Sequence, residues 1–485
     1  MSDRVIKKRQ TVVASEVGFA ISVLFVIYAG GLHCKSVAMT SQVTLPLWAF
    51  VLILLFAAVT FASHFLFPSV RWFFRRRMER AVKRLNARLE RPIQPFKLLR
   101  RQDMIQRLIY DPEITQAIVD HAKEEGVRED VAFERARRYA REIVPSFSAW
   151  AYFSFAIRAA RFLSNALYRV RMVHQDARLA DVDPEATVVF VMNHRSNMDY
   201  VLVTYLAADR SALSYAVGEW ARVWPLSRLI RAMGAYFIRR KSRNDLYRKV
   251  LSKYVQQATG AGVTQAVFPE GGLSLDGSLA EAKVGILKYI LEGAESAKRD
   301  VVFVPVALNY DRVLEDTILL RAQAEGQRKF RARISVVFRA VLRQLWLRVT
   351  GRFHRFGYAA VSFGKPLVLS DLANGTVDAE ALSHAIMKRI ALAVPILPVP
   401  LIATILLRDG AMTRAALEIA FAAALKQLED AQLHLPRNSR DYAVEVGLRN
   451  LFERKIVVEE DDELVIPEEK KPLAEFYANS IKHLL

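Results

Sequence analysis

Apolar and polar positions divide the chain into three kinds of segment. Two runs near the N-terminus contain no Asp, Glu, Lys or Arg: Val17–Cys34 with 18 residues and Thr44–Phe67 with 24. A 24-residue helix is about 36 Å long, enough to cross a hydrocarbon core of ~30 Å. Arg4, Lys7, Lys8 and Arg9 precede the first run, and Arg71, Arg75, Arg76, Arg77 and Arg80 follow the second. The positive-inside rule reads this as a transmembrane helical hairpin with both ends cytoplasmic, which puts the rest of the chain on the cytoplasmic side of the cell (inner) membrane. From about 71 to 170 the apolar spacing is helical. Within it, Ala151–Met172 has four arginines and no acid, which suits a helix lying in a membrane interface or one packed on the next domain.

Beyond about 180 the pattern shortens. Thr187–Met192, Ala266–Phe268 and Val301–Val306 are β-branched or apolar runs separated by helical stretches. Strands alternating with helices predict an α/β domain with a largely parallel sheet flanked by helices. Arg328–Arg355 carries nine Lys or Arg and no acid, with Ile334, Phe338, Val341, Leu345 and Val349 on one helical face, so it reads as a basic amphipathic helix. The last ~110 residues are helix-rich by pattern. The expected organisation is a hairpin over 1–70, a helical region over 71–175, the α/β domain over 176–370 and a helical C-terminal region over 371–485.

Composition narrows the function classes. A hydrophobic fraction of 52% with 25% charged residues suits a globular body with a few membrane segments, not a multi-span transporter. With 70 Lys and Arg against 50 Asp and Glu, the net charge of +20 calls for an anionic partner. No nucleic-acid motif is present and the basic residues flank apolar segments, so anionic membrane lipid is expected rather than nucleic acid. The single cysteine, Cys34, excludes a disulfide framework and a zinc cluster of cysteines.

The candidate chemistry sits at strand ends, where ligands bind in open α/β sheets. Asn193-His194-Arg195-Ser196-Asn197-Met198-Asp199-Tyr200 follows the first strand. A histidine and an aspartate five positions apart across a strand-to-helix turn let the carboxylate fix one imidazole nitrogen and free the other as a base. The plainer reading of Asp199 is a helix cap. Phe268-Pro269-Glu270-Gly271-Gly272-Leu273-Ser274 follows the second strand, and its glycines can present backbone amides to an anion or a developing oxyanion. Gly234–Lys241 places Arg239, Arg240 and Lys241 beside an apolar run, a patch that suits a phosphate. Val304–Tyr310 completes the set.

Taken in order, these four blocks resemble those of the glycerolipid acyltransferases, and among them the glycerol-3-phosphate acyltransferases. His194, Arg195, Ser196, Asp199 and Tyr200 resemble H-R-S-x-x-D-Y; Gly234–Arg240 resembles G-A-F-F-I-R-R; Phe268–Ser274 resembles F-x-E-G-G-R-S; Val304–Tyr310 resembles V-P-V-x-x-x-Y. Arg195 and Tyr200 fit this branch better than the lysophosphatidate acyltransferases. Weaker similarity runs from Asp111 through Arg138–Ile143 and reaches Tyr477–Ile481. The resemblance implies that His194 is the base and Asp199 its partner. It also implies that Arg239 and Arg240 hold the acceptor phosphate, and that Glu270 and Gly271 shape the site with Gly272, Ser274 and Arg195. The implied reaction moves a fatty-acyl group from acyl-CoA or acyl carrier protein to the 1-hydroxyl of glycerol 3-phosphate, with no metal and no cofactor. The chain departs from the pattern at Leu273 and Leu275, where the family carries basic residues. Lys241, Arg243 and Lys283 are the candidates to compensate. The departure keeps other acceptors open: lysophosphatidate, dihydroxyacetone phosphate, a neutral alcohol, or a degenerate protein that binds lipid without turnover.

Overall fold

The computed structural model describes residues 46–485 apart from 174–181, 207–210, 219–221, 223, 225, 240–243, 327–341, 343–345, 347–349, 351–354, 373–376 and 429–439. The chain divides into two units, residues 1–78 and 79–485. In the first, the described residues belong to the front of a helix that spans Leu47–Asn86, whose side chains from Leu47 to Phe61 are almost all exposed.

This corrects the expected membrane hairpin. Among the described residues, no helix is long and apolar enough to cross a membrane. The helix that begins at Leu47 runs on without a break through Arg75, Arg76, Arg77, Arg80, Lys83 and Arg84 to Asn86, 40 residues in all. The other arm, Val17–Cys34, lies outside the described residues, as does most of Arg328–Arg355.

The second unit is built on an eight-stranded sheet: β1 (Arg169–Val173), β2 (Thr187–Met192), β3 (Ser214–Gly218), β4 (Tyr236–Ile238), β5 (Gln265–Val267), β6 (Val301–Tyr310), β7 (Tyr358–Phe363) and β8 (Leu367–Val368). The order is β1-β7-β6-β2-β5-β3-β4, with β8 on β6. Here too the sequence reading is corrected. The sheet is mixed, parallel from β4 through β3, β5 and β2 to β6, but antiparallel where β6 meets β7 and β8. β7 pairs with the C-terminal half of β6, Val306–Tyr310, and β8 with Val302 and Phe303 near its start, and their short runs give no sequence cue to direction. The stretch read as one helix over Ala151–Met172 ends at Leu167, and Arg169–Val173 is instead the edge strand β1, paired in parallel with β7.

All six residues of β2 and all ten of β6 are buried. That explains their unbroken apolar sequence, because a parallel strand covered on both faces has no reason to alternate. Register then positions the chemistry. Val191 lies opposite Val267 on one side and Pro305 on the other, so β2 and β5 end side by side. The chain leaving β2 at His194 therefore meets the chain leaving β5 at Glu270.

Helices cover the sheet. Asp245–Gly260 and Gly285–Ala297 pack together, with Glu129–Ile143 laid against the first. The C-terminal region joins through buried polar contacts as well as apolar ones. The Tyr477 hydroxyl accepts from Val313 N at 3.2 Å and from Arg454 at 2.7 Å, and donates to Asp316. Gly277 lies so close to the C-terminal tail that a Cβ there would stand 1.8 Å from the Phe476 carbonyl oxygen, and its φ of +84° also favours glycine.

Candidate active site

The turn after β2 is organised around one carboxylate. Asp199 Oδ2 lies 2.9 Å from His194 Nδ1 and accepts the backbone N–H of Arg195 at 2.7 Å and of Ser196 at 3.0 Å. Its Oδ1 accepts the Tyr310 hydroxyl at 2.6 Å. Asp199 is fully buried, and the His194 side chain is 3% exposed. Ser196 Oγ meanwhile accepts the N–H of Met198 at 3.1 Å, at the start of helix Met198–Leu206. Ser196 and Asp199 thus form a capping box in which the acid answers back to the capping residue. Asp199 therefore caps the helix and meets the imidazole at once, and the cap holds the carboxylate where it meets the ring.

An ionised carboxylate only accepts, so its position places the shared proton on Nδ1 and leaves Nε2 with a free lone pair. The Phe268 ring lies 4.3 Å from the imidazole centroid and Tyr200 meets it edge-on at 5.3 Å, which limits the ring's rotation.

The chain after β5 clamps His194 from the backbone. Glu270 Oε1 accepts the His194 N–H at 2.9 Å, Glu270 Oε2 accepts the Ala280 N–H at 3.2 Å, and Ser274 N donates to the His194 carbonyl at 3.0 Å. Burial pushes the Glu270 carboxyl up to about 7, against the pull of these donors and of Arg195. Gly271 has φ of +69°, and a Cβ on it would meet the Lys283 side chain at 3.0 Å. Lys283 therefore lies over the Glu270 turn, while its own N–H closes the loop onto Pro269 O at 2.8 Å. Gly272 lies in the same turn, half-buried. Ser274 Oγ bonds Ser278 O at 2.7 Å and Asp276 at 3.3 Å.

Arg195 has a different place from the one expected for a substrate ligand. It is 3% exposed, and its guanidinium donates to Gly277 O and, at 3.2 Å, to Ser480 O. It ties the His194 turn to the Glu270 loop and to the C-terminal tail. Asn479 Nδ2 adds a bond to Asp276 O at 3.0 Å. The weak similarity at Tyr477–Ile481 therefore falls on residues that buttress the site.

At the end of β4, Arg239 meets Glu142 through a two-pronged contact of 2.8 and 2.7 Å, and Arg222 pairs with the same carboxylate. The rings of Tyr139 and Tyr247 lie 4.9 and 5.5 Å from the Arg239 guanidinium. Arg240, Lys241 and Arg243 lie outside the described residues. Leu273 and Leu275 are half-buried and pack against the main core, so the departure from the resembling pattern puts apolar side chains to structural use.

The sequence reading did not assign Glu142, Arg222, Glu315 or Ser480 to the site. Glu315 accepts Ser196 Oγ at 2.7 Å and Asn197 Nδ2 at 3.1 Å. The signal for Glu142 was available, since it falls in the weakly similar stretch Arg138–Ile143. Glu315 sits in no block, and only folding brings it to Ser196.

The site thus comprises a buried imidazole held by a carboxylate at a strand end, with a glycine-bearing acidic turn beside it. Residues 171–309 match the family model for acyltransferases, and residues 344–485 match the model for the glycerol-3-phosphate acyltransferase C-terminal region. The chain is thus similar to the glycerol-3-phosphate acyltransferases in its C-terminal segment and to acyltransferases more broadly over the segment that carries His194 and Glu270. It is 29% identical over 305 residues to the glycerol-3-phosphate acyltransferase of Xanthomonas campestris, covering 61% of this chain and 33% of that one. It is 31% identical over 307 residues to that of Shewanella amazonensis, covering 60% and 35%. The match thus takes in about a third of these relatives' length. A crystal structure of the 1-acyl-sn-glycerophosphate acyltransferase from Thermotoga maritima aligns over 49% of this chain and 75% of that one, at 18% identity and a TM-score of 0.30.

Proposed function

We propose that this chain transfers a fatty-acyl group from a thioester, carried by CoA or by acyl carrier protein, to the 1-hydroxyl of glycerol 3-phosphate. The observation that carries the reading is the His194–Asp199 pair at 2.9 Å, buried at the end of β2 with its tautomer imposed by the carboxylate. His194 Nε2 takes the proton of the acceptor hydroxyl as the oxygen attacks the thioester carbonyl. The new C–O bond forms, the C–S bond breaks, and the imidazolium returns the proton to the leaving thiolate. Asp199 stabilises the imidazolium meanwhile, and no acyl-enzyme is needed because the thioester is already activated.

Arg239 is the cation that this reading assigns to the acceptor phosphate. Glu142 fixes the plane of the Arg239 fork through a two-pronged contact, and a planar guanidinium matches the geometry of a phosphate. Arg222, held by the same acid, adds a second positive charge. The relatives bearing the name glycerol-3-phosphate acyltransferase support this acceptor. The net charge of +20 favours an anionic membrane surface as the place of work.

The test is product formation. The full chain is incubated with an acyl-CoA or an acyl carrier protein thioester and with glycerol 3-phosphate, dihydroxyacetone phosphate, lysophosphatidate or a neutral alcohol. The expected product is 1-acyl-glycerol 3-phosphate. Preferential acylation of a neutral alcohol would overturn the acceptor and leave the chemistry at His194 in place.

A further inference from the structure

A groove of about 1170 Å³ opens between the loop that carries Glu270, helix Ala379–Leu392 and the tail at Asn479–His483. Its size is at or above the ~300–1,000 Å³ usual for ligand clefts, which suits a long ligand. Leu279, Val284 and Met387 give it apolar walls, and Lys283, Lys388 and Lys482 bring positive charge from its three sides. Glu281 and Glu380 also line it, so the lysines outnumber the acids. An apolar trough edged by lysines from three separate elements fits a ligand with an extended, weakly polar body and a phosphate.

The wall of the groove is joined to the backbone that braces the His194 turn. Ala280, in its wall, donates its N–H to Glu270 at 3.2 Å, and the same carboxylate accepts the His194 N–H at 2.9 Å. Lys283 projects from the wall over Gly271 in the Glu270 turn. Lys388 and Lys482 thus stand on the helix and tail sides of the groove, and Lys283 at the side next to the turn that braces the imidazole.

We propose that this groove binds the phosphopantetheine arm of the acyl donor, with its phosphate between Lys388 and Lys482 and its thioester end on the Lys283 side, towards the His194 turn. The assignment rests on the acyl-transfer reading above. It also separates the two substrates, with the donor held by the C-terminal region and the acceptor phosphate at Arg239. CoA and acyl carrier protein share the arm. CoA adds a diphosphate and a ribose phosphate, whereas the carrier protein offers one phosphodiester and an acidic surface.

The test uses the full chain with Lys388→Glu and Lys482→Glu combined; both lysines are exposed and outside the catalytic turn. The Michaelis constant for the donor should rise roughly 10- to 100-fold, with kcat and the constant for glycerol 3-phosphate changed less than about 3-fold. Lys388→Arg with Lys482→Arg should restore donor affinity, and Lys388→Met with Lys482→Met supplies a neutral form if charge reversal disturbs folding. A rise seen with acyl-CoA alone names CoA as the carrier; a rise seen with the carrier-protein thioester alone names the protein. An unchanged constant for both donors overturns the proposal. Calorimetric binding of CoA and of the holo carrier protein to the wild type and the same variants keeps the two readings apart. If the wild type acylates no acceptor but the charge reversal abolishes binding, the reaction assignment fails and the groove stands.

Discussion

The pairs His194–Asp199 and Arg239–Glu142 are both a nitrogen base held by a carboxylate, and they differ in how each is made. The first joins residues five positions apart on one turn and is 3% and 0% exposed in its side chains. The second joins residues 97 positions apart, with the arginine side chain 23% exposed. The local pair is fixed by a capping box, two backbone N–H groups and a tyrosine, so the imidazole has one tautomer and little freedom. The distant pair is a cation held by Glu142 in a two-pronged contact and still partly open to solvent. The proposed reaction gives the proton transfer to the rigid, dry pair and the uptake of a charged substrate to the pair that keeps a face to water.

Breaking the rigid pair should have the largest effect. Asp199→Asn removes the acceptor that places the proton on Nδ1 and presents an amide to two backbone N–H groups, so kcat should fall by ~10²–10⁴-fold while the Michaelis constants change little. A change of only a few-fold in a steady-state assay would show that the carboxylate acts as a helix cap alone.

Breaking the open pair should act on binding. Arg239→Ala should raise the Michaelis constant for glycerol 3-phosphate by roughly 10- to 150-fold, the equivalent of one charge-assisted bond of ~1.5–3 kcal/mol, and leave that for the donor nearly unchanged. Glu142→Gln should raise the same constant by a smaller factor, because Arg239 keeps its charge and loses its orientation. Equal effects on donor and acceptor would refute the separation of the two.

The same contrast explains what was legible in the sequence. His194 and Asp199 were readable because their partnership is written in a five-residue interval after an apolar strand. β2 and β6 were readable because buried parallel strands are continuously apolar. Tyr310 lies 111 positions from Asp199, Glu315 lies 119 from Ser196, and Ser480 lies 285 from Arg195. Nothing in local spacing announces such pairs. Arg195 shows the opposite error. A cation beside a catalytic histidine reads as a substrate ligand, yet its guanidinium ties three segments together. The antiparallel β7 and β8 were missed because strand direction depends on the connection, and the membrane hairpin is overturned because no helix among the described residues is long and apolar enough to cross a membrane.

A smaller effect should come from Glu270, the residue that joins the His194 turn to the next loop. Glu270→Gln leaves one backbone N–H facing an amide nitrogen, and activity should fall by about 10-fold. Its pH behaviour has two opposite signs. Because burial raises its folded-state value from 4.5 to about 7, the folded chain binds the extra proton first, so this group's contribution to stability grows as pH falls from 7 towards 4.5. Activity should move the other way, declining below about pH 7 as a protonated oxygen replaces an acceptor of the His194 or Ala280 N–H. Thermal unfolding and kcat measured over pH 5–8, in the wild type and in Glu270→Gln, check both slopes. The variant should lose this component of each.

The most direct test of the central claim is the turnover number of His194→Ala beside the wild type, with glycerol 3-phosphate and the donor both saturating. If His194 takes the acceptor proton, turnover falls by ~10²–10⁴-fold and donor binding measured by calorimetry is retained. Turnover within a few-fold of the wild type would contradict the account.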